Sequence, residues 1–243
     1  MSHEDAAEHF DGAVPDGYEQ FMVPLMFQPY ADDLVRRVVA RHPASVLELA
    51  AGTGVVTRGL AAALPASCRI VATDLNGAMI DVARRRGAER APGAENIEWG
   101  IADAQSLPFD DASFDLAVCQ FGVMFFPDRV ESHREVRRVL VPGGTYLLTA
   151  WDSVAHNAVA AAVEAAYREV VPDGPPSMVT QVAHGYHDPE RIRSDLEAGG
   201  LIVECAGGVY RPRPLAGEHA FEVIASNGPL HRPLEDQLKQ PLR

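Results

Sequence analysis

The chain has 243 residues, 47% hydrophobic and 23% charged, a composition that suits a globular protein with one sizeable core. Its 21 Lys and Arg against 34 Asp and Glu leave a formal net charge of −13, which argues against general affinity for a phosphate backbone. Three widely spaced cysteines, Cys68, Cys119 and Cys205, without a Cys-x-x-Cys pair, support neither a disulfide scaffold nor cysteine-bound zinc.

Residues 1–17 are acidic and lack an apolar run of signal-peptide length, and no stretch approaches the roughly 18 apolar residues of a membrane span. A cytoplasmic location is expected. From Tyr18 to Arg41 apolar positions recur at helical spacing, broken by Pro24 and Pro29, which predicts two or three short helices. Strands are then expected at Ser45–Ala50, Arg69–Thr73, Asn96–Ala102, Phe114–Gln120 and Thr145–Trp151. Helices are expected between them at Val55–Leu64, Ala78–Arg86 and Arg129–Leu140, the last ended by Pro142-Gly143-Gly144. Strands alternating with helices predict a doubly wound, mainly parallel α/β sheet covered on both faces.

Beyond Trp151 follow an Ala-rich helix over Val154–Val171, a Pro/Gly loop, a helix over Pro189–Ala198 and a strand near Leu201–Gly207. The expected organisation is an acidic segment and helical lid over 1–44, an α/β core over 45–151, and a helical insertion, sixth strand and C-terminal segment over 152–243.

In such a sheet the ligand lies at the carboxyl ends of the strands, where strand order reverses. The first strand runs into Glu48-Leu49-Ala50-Ala51-Gly52-Thr53-Gly54, whose small residues let the backbone approach a ligand. A dinucleotide fingerprint wants a third glycine at position 57, and Thr57 stands there, which weakens an NAD-dependent oxidoreductase reading.

Four stretches in order carry a resemblance to another family. They are this first loop; Asp74, twenty residues past Gly54; Ala102-Asp103-Ala104 with Leu107-Pro108-Phe109 and Phe114-Asp115; and Leu140-Val141-Pro142-Gly143-Gly144. Residues 45–150 resemble the class I S-adenosylmethionine-dependent methyltransferases of the small-molecule and quinone-biosynthesis type, with Ala50 standing where that family often has a glycine. The resemblance implies a Rossmann-like fold, S-adenosyl-L-methionine as cofactor with S-adenosyl-L-homocysteine as product, and a small hydrophobic acceptor.

It also implies roles. Asp74 accepts from both ribose hydroxyls, Asp103 accepts from the adenine amino group, and the Ala104 N–H faces a ring nitrogen. Leu75 and Met79 sandwich the adenine. Glu48, Ala50, Gly52 and Gly54 form the loop around the methionine portion, which Gln120 also faces. Tyr18 resembles an aromatic that closes over the cofactor, although a plain packing tyrosine reads equally well. A binding protein that holds the cofactor without turnover is the alternative outside the enzyme class.

Catalytic residues are less legible, since methyl transfer rests largely on positioning and a base is needed only if the acceptor loses a proton. His156 is the best base candidate, set against a helix-start packing role. His133 is expected on its helix surface. His184-Gly185-Tyr186-His187-Asp188 is expected to be a solvated loop, with no metal bound. Phe121, Met124, Phe125 and Phe126 either line an acceptor pocket or pack a core. Arg84-Arg85-Arg86 is expected to be a solvated helix end.

Gly217–Asn227 carries Phe221, Ile224 and Ala225 at helical spacing, and Leu230–Arg243 is too polar for a central strand. The sheet is therefore expected to lack its last strand, leaving an edge for a rearranged tail or a homodimer partner to cover; the competing reading makes 219–226 that strand.

Overall fold

The structure, a computed structural model, describes residues 14–90, 96–174, 177–210 and 220–226; the N-terminal acidic segment up to residue 13 and the tail from 227 lie outside the described residues. A turn of helix at Val14–Gly17 leads into a π-helix at Tyr18–Phe27, here called the lid helix. Helices α1 (Gln28–Val39), α2 (Val55–Ala63), α3 (Gly77–Arg90), α4 (Arg129–Val139), α5 (Ala158–Val170) and α6 (Pro189–Ala198) alternate with strands. These are β1 (Ser45–Glu48), β2 (Arg69–Asp74), β3 (Ile97–Ile101), β4 (Phe114–Gln120), β5 (Leu140–Trp151), β6 (Ile202–Tyr210) and β7 (Ala220–Ser226), in the order β3-β2-β1-β4-β5-β7-β6. Strands β1 to β5 run parallel, and β7 lies antiparallel between β5 and β6.

Successive strand residues point to opposite faces, so each central strand feeds two cores and reads as a nearly continuous apolar run. On one face Val46, Ile70, Leu116 and Leu147 meet Leu34 and Val38 of α1 and Val56 and Leu60 of α2. On the other, Leu47, Val71, Ala117 and Leu148 meet Val136 and Val139 of α4 and Ile192 and Leu196 of α6. Capping carboxylates start two of these helices: Asp128 accepts from the Glu131 N–H, and Asp188 from the Glu190 N–H with Pro189 in the first turn. Among the described residues no helix is long and apolar enough to cross a membrane.

The structure corrects several sequence expectations. The helix expected within Gly217–Asn227 is strand β7, paired from Thr145↔Ser226 to Trp151↔Ala220. The spacing of Phe221-Glu222-Val223-Ile224-Ala225 suits a helix, and its pairing with β5 on one edge and β6 on the other makes it the strand of the competing reading. The edge expected to need a partner is thereby filled.

Pro142-Gly143-Gly144 does not end α4 but lies inside β5, where the pairing with β4 shifts between Phe114↔Leu140 and Leu116↔Thr145. The Ala-rich helix begins only at Ala158, after a short 3₁₀ turn at Val154–His156. Arg84, Arg85 and Arg86 lie within α3 rather than at its end; Arg84 pairs with Asp81 and Arg85 with Asp16.

His133 is wholly buried, because the chain after α6 crosses α4 at Gly199, where a Cβ would stand 2.6 Å from that of His133. The loop at His184 is not solvated throughout. His184 and Tyr186 are buried; His184 Nδ1 donates to the Asp152 carbonyl at 2.7 Å, and the Tyr186 hydroxyl to Asp195 at 3.0 Å. No metal-holding cluster exists among the described residues.

Candidate functional site

Strand order reverses between β1 and β4, and a cavity lies there at the carboxyl ends of the strands. One half of this cavity is built from strand-end loops. After β1 the chain turns through Ala50 (φ 50°), Gly52 (φ 56°) and Gly54 (φ 82°) before α2 begins. Left-handed backbone costs a non-glycine residue about 1 kcal/mol, so the alanine at position 50 departs from the family pattern at a small penalty. Its methyl group finds room because residue 122 is glycine: a Cβ at Gly122 would lie 2.4 Å from that of Ala50.

Beneath this loop, Glu48 is 2% exposed, and the Thr57 hydroxyl donates to it at 2.6 Å. Burial pushes the Glu48 carboxyl up to about 8, against the lowering effects of Thr57 and Arg58. The residue that replaces a dinucleotide fold's third glycine is thus a hydroxyl serving a buried acid.

Asp74, at the end of β2, accepts the Gly52 N–H at 2.8 Å through one oxygen and the Asn76 N–H at 2.9 Å through the other. Burial raises its pKa, countered by those backbone bonds. Each oxygen keeps lone-pair capacity for a further donor. Asn76 in turn caps α3, accepting from the Ala78 and Met79 N–H groups. Asp103, after β3, accepts from the Gln105 N–H at 2.9 Å, which holds its carboxylate at the rim.

The other half is a wall of aromatic rings. Phe121 and Trp151, from the ends of β4 and β5, stack at 3.8 Å with an interplanar angle of 2°. Phe27 of the lid helix approaches both, at 5.9 and 6.0 Å, and Tyr30 meets both edge-on. Phe125, Phe126 and Pro127 complete the wall. Gln120 stands at the junction of the halves. Its Nε2 donates to the Phe27 carbonyl at 3.4 Å, while its Oε1 is buried without a hydrogen-bond partner.

Of the residues singled out from sequence, Tyr18, Ala50, Gly52, Asp74, Leu75, Met79, Asp103, Ala104 and Gln120 line the cavity. Glu48 and Gly54 lie behind it, Gly54 against the Trp99 ring, where a Cβ would come within 2.7 Å. His156 is outside the lining; its ring is 61% exposed, with Nδ1 2.9 Å from an Asp152 carboxylate oxygen. Phe121, Phe125 and Phe126 line the cavity, whereas Met124 is core. Sequence reasoning missed Asn76, Phe27 and Trp151. An Asn two residues after a strand-end Asp was a legible capping signal, but the two aromatics carried none.

Acceptors and shape suit S-adenosylmethionine: carboxylates at the ends of β2 and β3 and an unpartnered Gln120 oxygen, with Thr57 where a dinucleotide site has its third glycine. Comparison with known proteins agrees. A family model described as a methyltransferase domain matches residues 46–144. The ubiquinone/menaquinone biosynthesis C-methyltransferase UbiE of Hahella chejuensis is 32% identical over 173 residues, 67% of this chain and 69% of that protein. The malonyl-[acyl-carrier protein] O-methyltransferase of Halorhodospira halophila is 30% identical over 222 residues, 81% of this chain and 71% of that protein. A crystal structure of a SAM-dependent methyltransferase from Aquifex aeolicus, 17% identical, covers 87% of this chain and 97% of its own with a TM-score of 0.62, sharing the fold. The chain belongs to the class I S-adenosylmethionine-dependent methyltransferases, in the group that includes the quinone-biosynthesis C-methyltransferases.

Proposed function

We propose that this methyltransferase acts on a planar, uncharged aromatic acceptor and methylates a ring carbon. The observation that carries the reading is the Phe121–Trp151 stack with Phe27, Phe125 and Phe126 around it. Flat apolar rings bind such walls through burial and offset or edge contacts. Among the described lining residues there is no Lys, Arg or His. A carboxylate acceptor has no counter-charge there, and an acceptor hydroxyl has no imidazole to take its proton. A ring carbon activated by a neighbouring hydroxyl needs no counter-charge: its bond to the methyl group forms as the sulfonium bond breaks, and the cationic ring then gives up its strongly acidic proton to water without a dedicated base. The reading assigns His156 no proton-transfer role. The relative named for ubiquinone/menaquinone biosynthesis supports this acceptor class over that of the malonyl relative.

Bound S-adenosylmethionine supplies an electrophilic methyl group on a sulfonium centre. In this reading Asp74 accepts from the ribose hydroxyls, and Asp103 and the Ala104 N–H read the adenine edge. Leu75 and Met79 flank the adenine ring. Gln120 Oε1 accepts from the methionine end, Gly52 leaves the space it occupies open, and Tyr18 covers the cofactor. The aromatic wall excludes water and holds the acceptor face toward the methyl group, which is where in-line transfer gains its acceleration. The test is a panel of hydroquinones and a malonyl thioester, with product masses and S-adenosylhomocysteine release measured. Ring-methylated hydroquinone is the expected product. Methyl ester from the thioester, with the rings untouched, would overturn the assignment.

A further inference from the structure

The lid helix carries an ion pair that the reaction does not require. Glu19, Val23 and Phe27, four residues apart, are its buried positions, while Phe21 and Leu25 are exposed. A carboxylate on that inner face is costly unless it is paired. Arg58 of α2 supplies the partner. Its Nη2 donates to Glu19 Oε1 at 2.8 Å, with the side chains 15% and 7% exposed. Its Nη1 donates to the carbonyl of Thr53, inside the first loop. One guanidinium therefore joins the lid to the loop that borders the cofactor, in a fixed fork that an ammonium could not reproduce.

The residue beside Glu19 is Tyr18, whose ring stacks on Phe27 at 5.0 Å and lines the cavity. Asp74, at the end of β2, lines the same cavity as the Tyr18 ring. Glu19 Oε2 is buried without a hydrogen-bond partner, so the bond from Arg58 to Oε1 is what offsets the burial of this carboxylate.

We propose that Glu19 and Arg58 form a latch that positions Tyr18 over the cofactor, so that closure of the lid and ordering of the first loop are one event. The proposal rests on the reading that Tyr18 covers the cofactor. The pair touches neither the acceptor nor the reacting atoms; it acts through Tyr18 and belongs to cofactor capture.

The experiment measures S-adenosylhomocysteine affinity and dissociation rate in the full chain. Its variants are Tyr18→Ala, Glu19→Gln, the double variant, Arg58→Gln and Arg58→Lys, with thermal denaturation checking each fold. Tyr18→Ala and Glu19→Gln should each weaken binding about tenfold, mostly through faster dissociation. The double variant should be no weaker than Tyr18→Ala alone, and Arg58→Lys should recover part of what Arg58→Gln loses. A purely structural pair would lower the melting temperature and leave the affinity of the folded protein unchanged. Should Arg58→Gln fail to fold, Glu19→Gln, nearly isosteric, carries the test. Wild-type binding by Glu19→Gln, or losses that multiply in the double variant, would overturn the latch. Wild-type binding by Tyr18→Ala would instead overturn the reading of Tyr18 as the cover.

Discussion

The two halves of the cavity are made in different ways. On the cofactor side each polar group is placed by its own stretch of chain: Asp74 by the N–H groups of Gly52 and Asn76, Asp103 by that of Gln105. On the acceptor side no ring is placed locally. Phe27, Tyr30, Phe121 and Trp151 come from the lid helix, α1 and the ends of β4 and β5, and hold one another. Damage to the first half should therefore remain a loss of affinity, whereas damage to the second should become a loss of stability.

The largest effect tests that contrast directly. Phe121 is 6% exposed within the aromatic cluster, so Phe121→Ala should cost about 3–4 kcal/mol of folding stability in urea denaturation, with acceptor turnover lost. A variant as stable as the parent would mean the wall is a surface lining, not a core.

The pH dependence of the ligand-free protein sharpens the comparison. His133, under the acceptor side between α4 and α6, is wholly buried, and burial holds its ring down at about 4 from the usual 6.5. Between those values the unfolded chain binds a proton there and the folded chain does not. Stability should fall by on the order of 3 kcal/mol as pH drops through this window. Glu48, under the cofactor side, works in the opposite sense. Its carboxyl stays protonated up to about 8 in the fold and ionises from about 4.5 when unfolded, so its contribution is lost as pH rises between them. His133→Leu should flatten the acid limb and Glu48→Gln the alkaline one; limbs unchanged in both variants would show that other groups set them.

Asp74→Ala is the affinity counterpart. In the proposed binding mode two ribose hydroxyls lose a charged acceptor, so S-adenosylhomocysteine should bind about 2 kcal/mol more weakly by calorimetry, with the melting curve little changed. Equal affinity in the folded variant would remove Asp74 from the site.

The smallest effect lies at the seam between the halves. Gly122→Ala sets a methyl group against Ala50 and against Cys119 Sγ, the latter 2.8 Å from the new Cβ position, and should cost about 1–2 kcal/mol. Ala50→Gly in the same chain should restore roughly half, because it removes one of the two clashes and the left-handed alanine. No recovery would place the strain at Cys119 alone.

The sequence by itself determined what depends on neighbours along the chain. The parallel core followed from apolar runs separated by amphipathic helices, and the cofactor side from small residues and acids at strand ends, because a turn or cap is settled within a few residues. Even the argument from Thr57 has a local cause, its hydroxyl lying one helical turn from the first loop and bonded to Glu48. What only the tertiary structure decided was anything whose partner is remote. His133 reads as a surface residue until Gly199 closes over it. The strand at Ala220–Ser226 reads as a helix until β5 and β6 flank it. Phe27 and Trp151 show no role until the sheet brings together residues 124 positions apart. Side chains that meet across such distances leave no spacing in the sequence, since their contact is set by strand order and helix packing rather than by the chain between them.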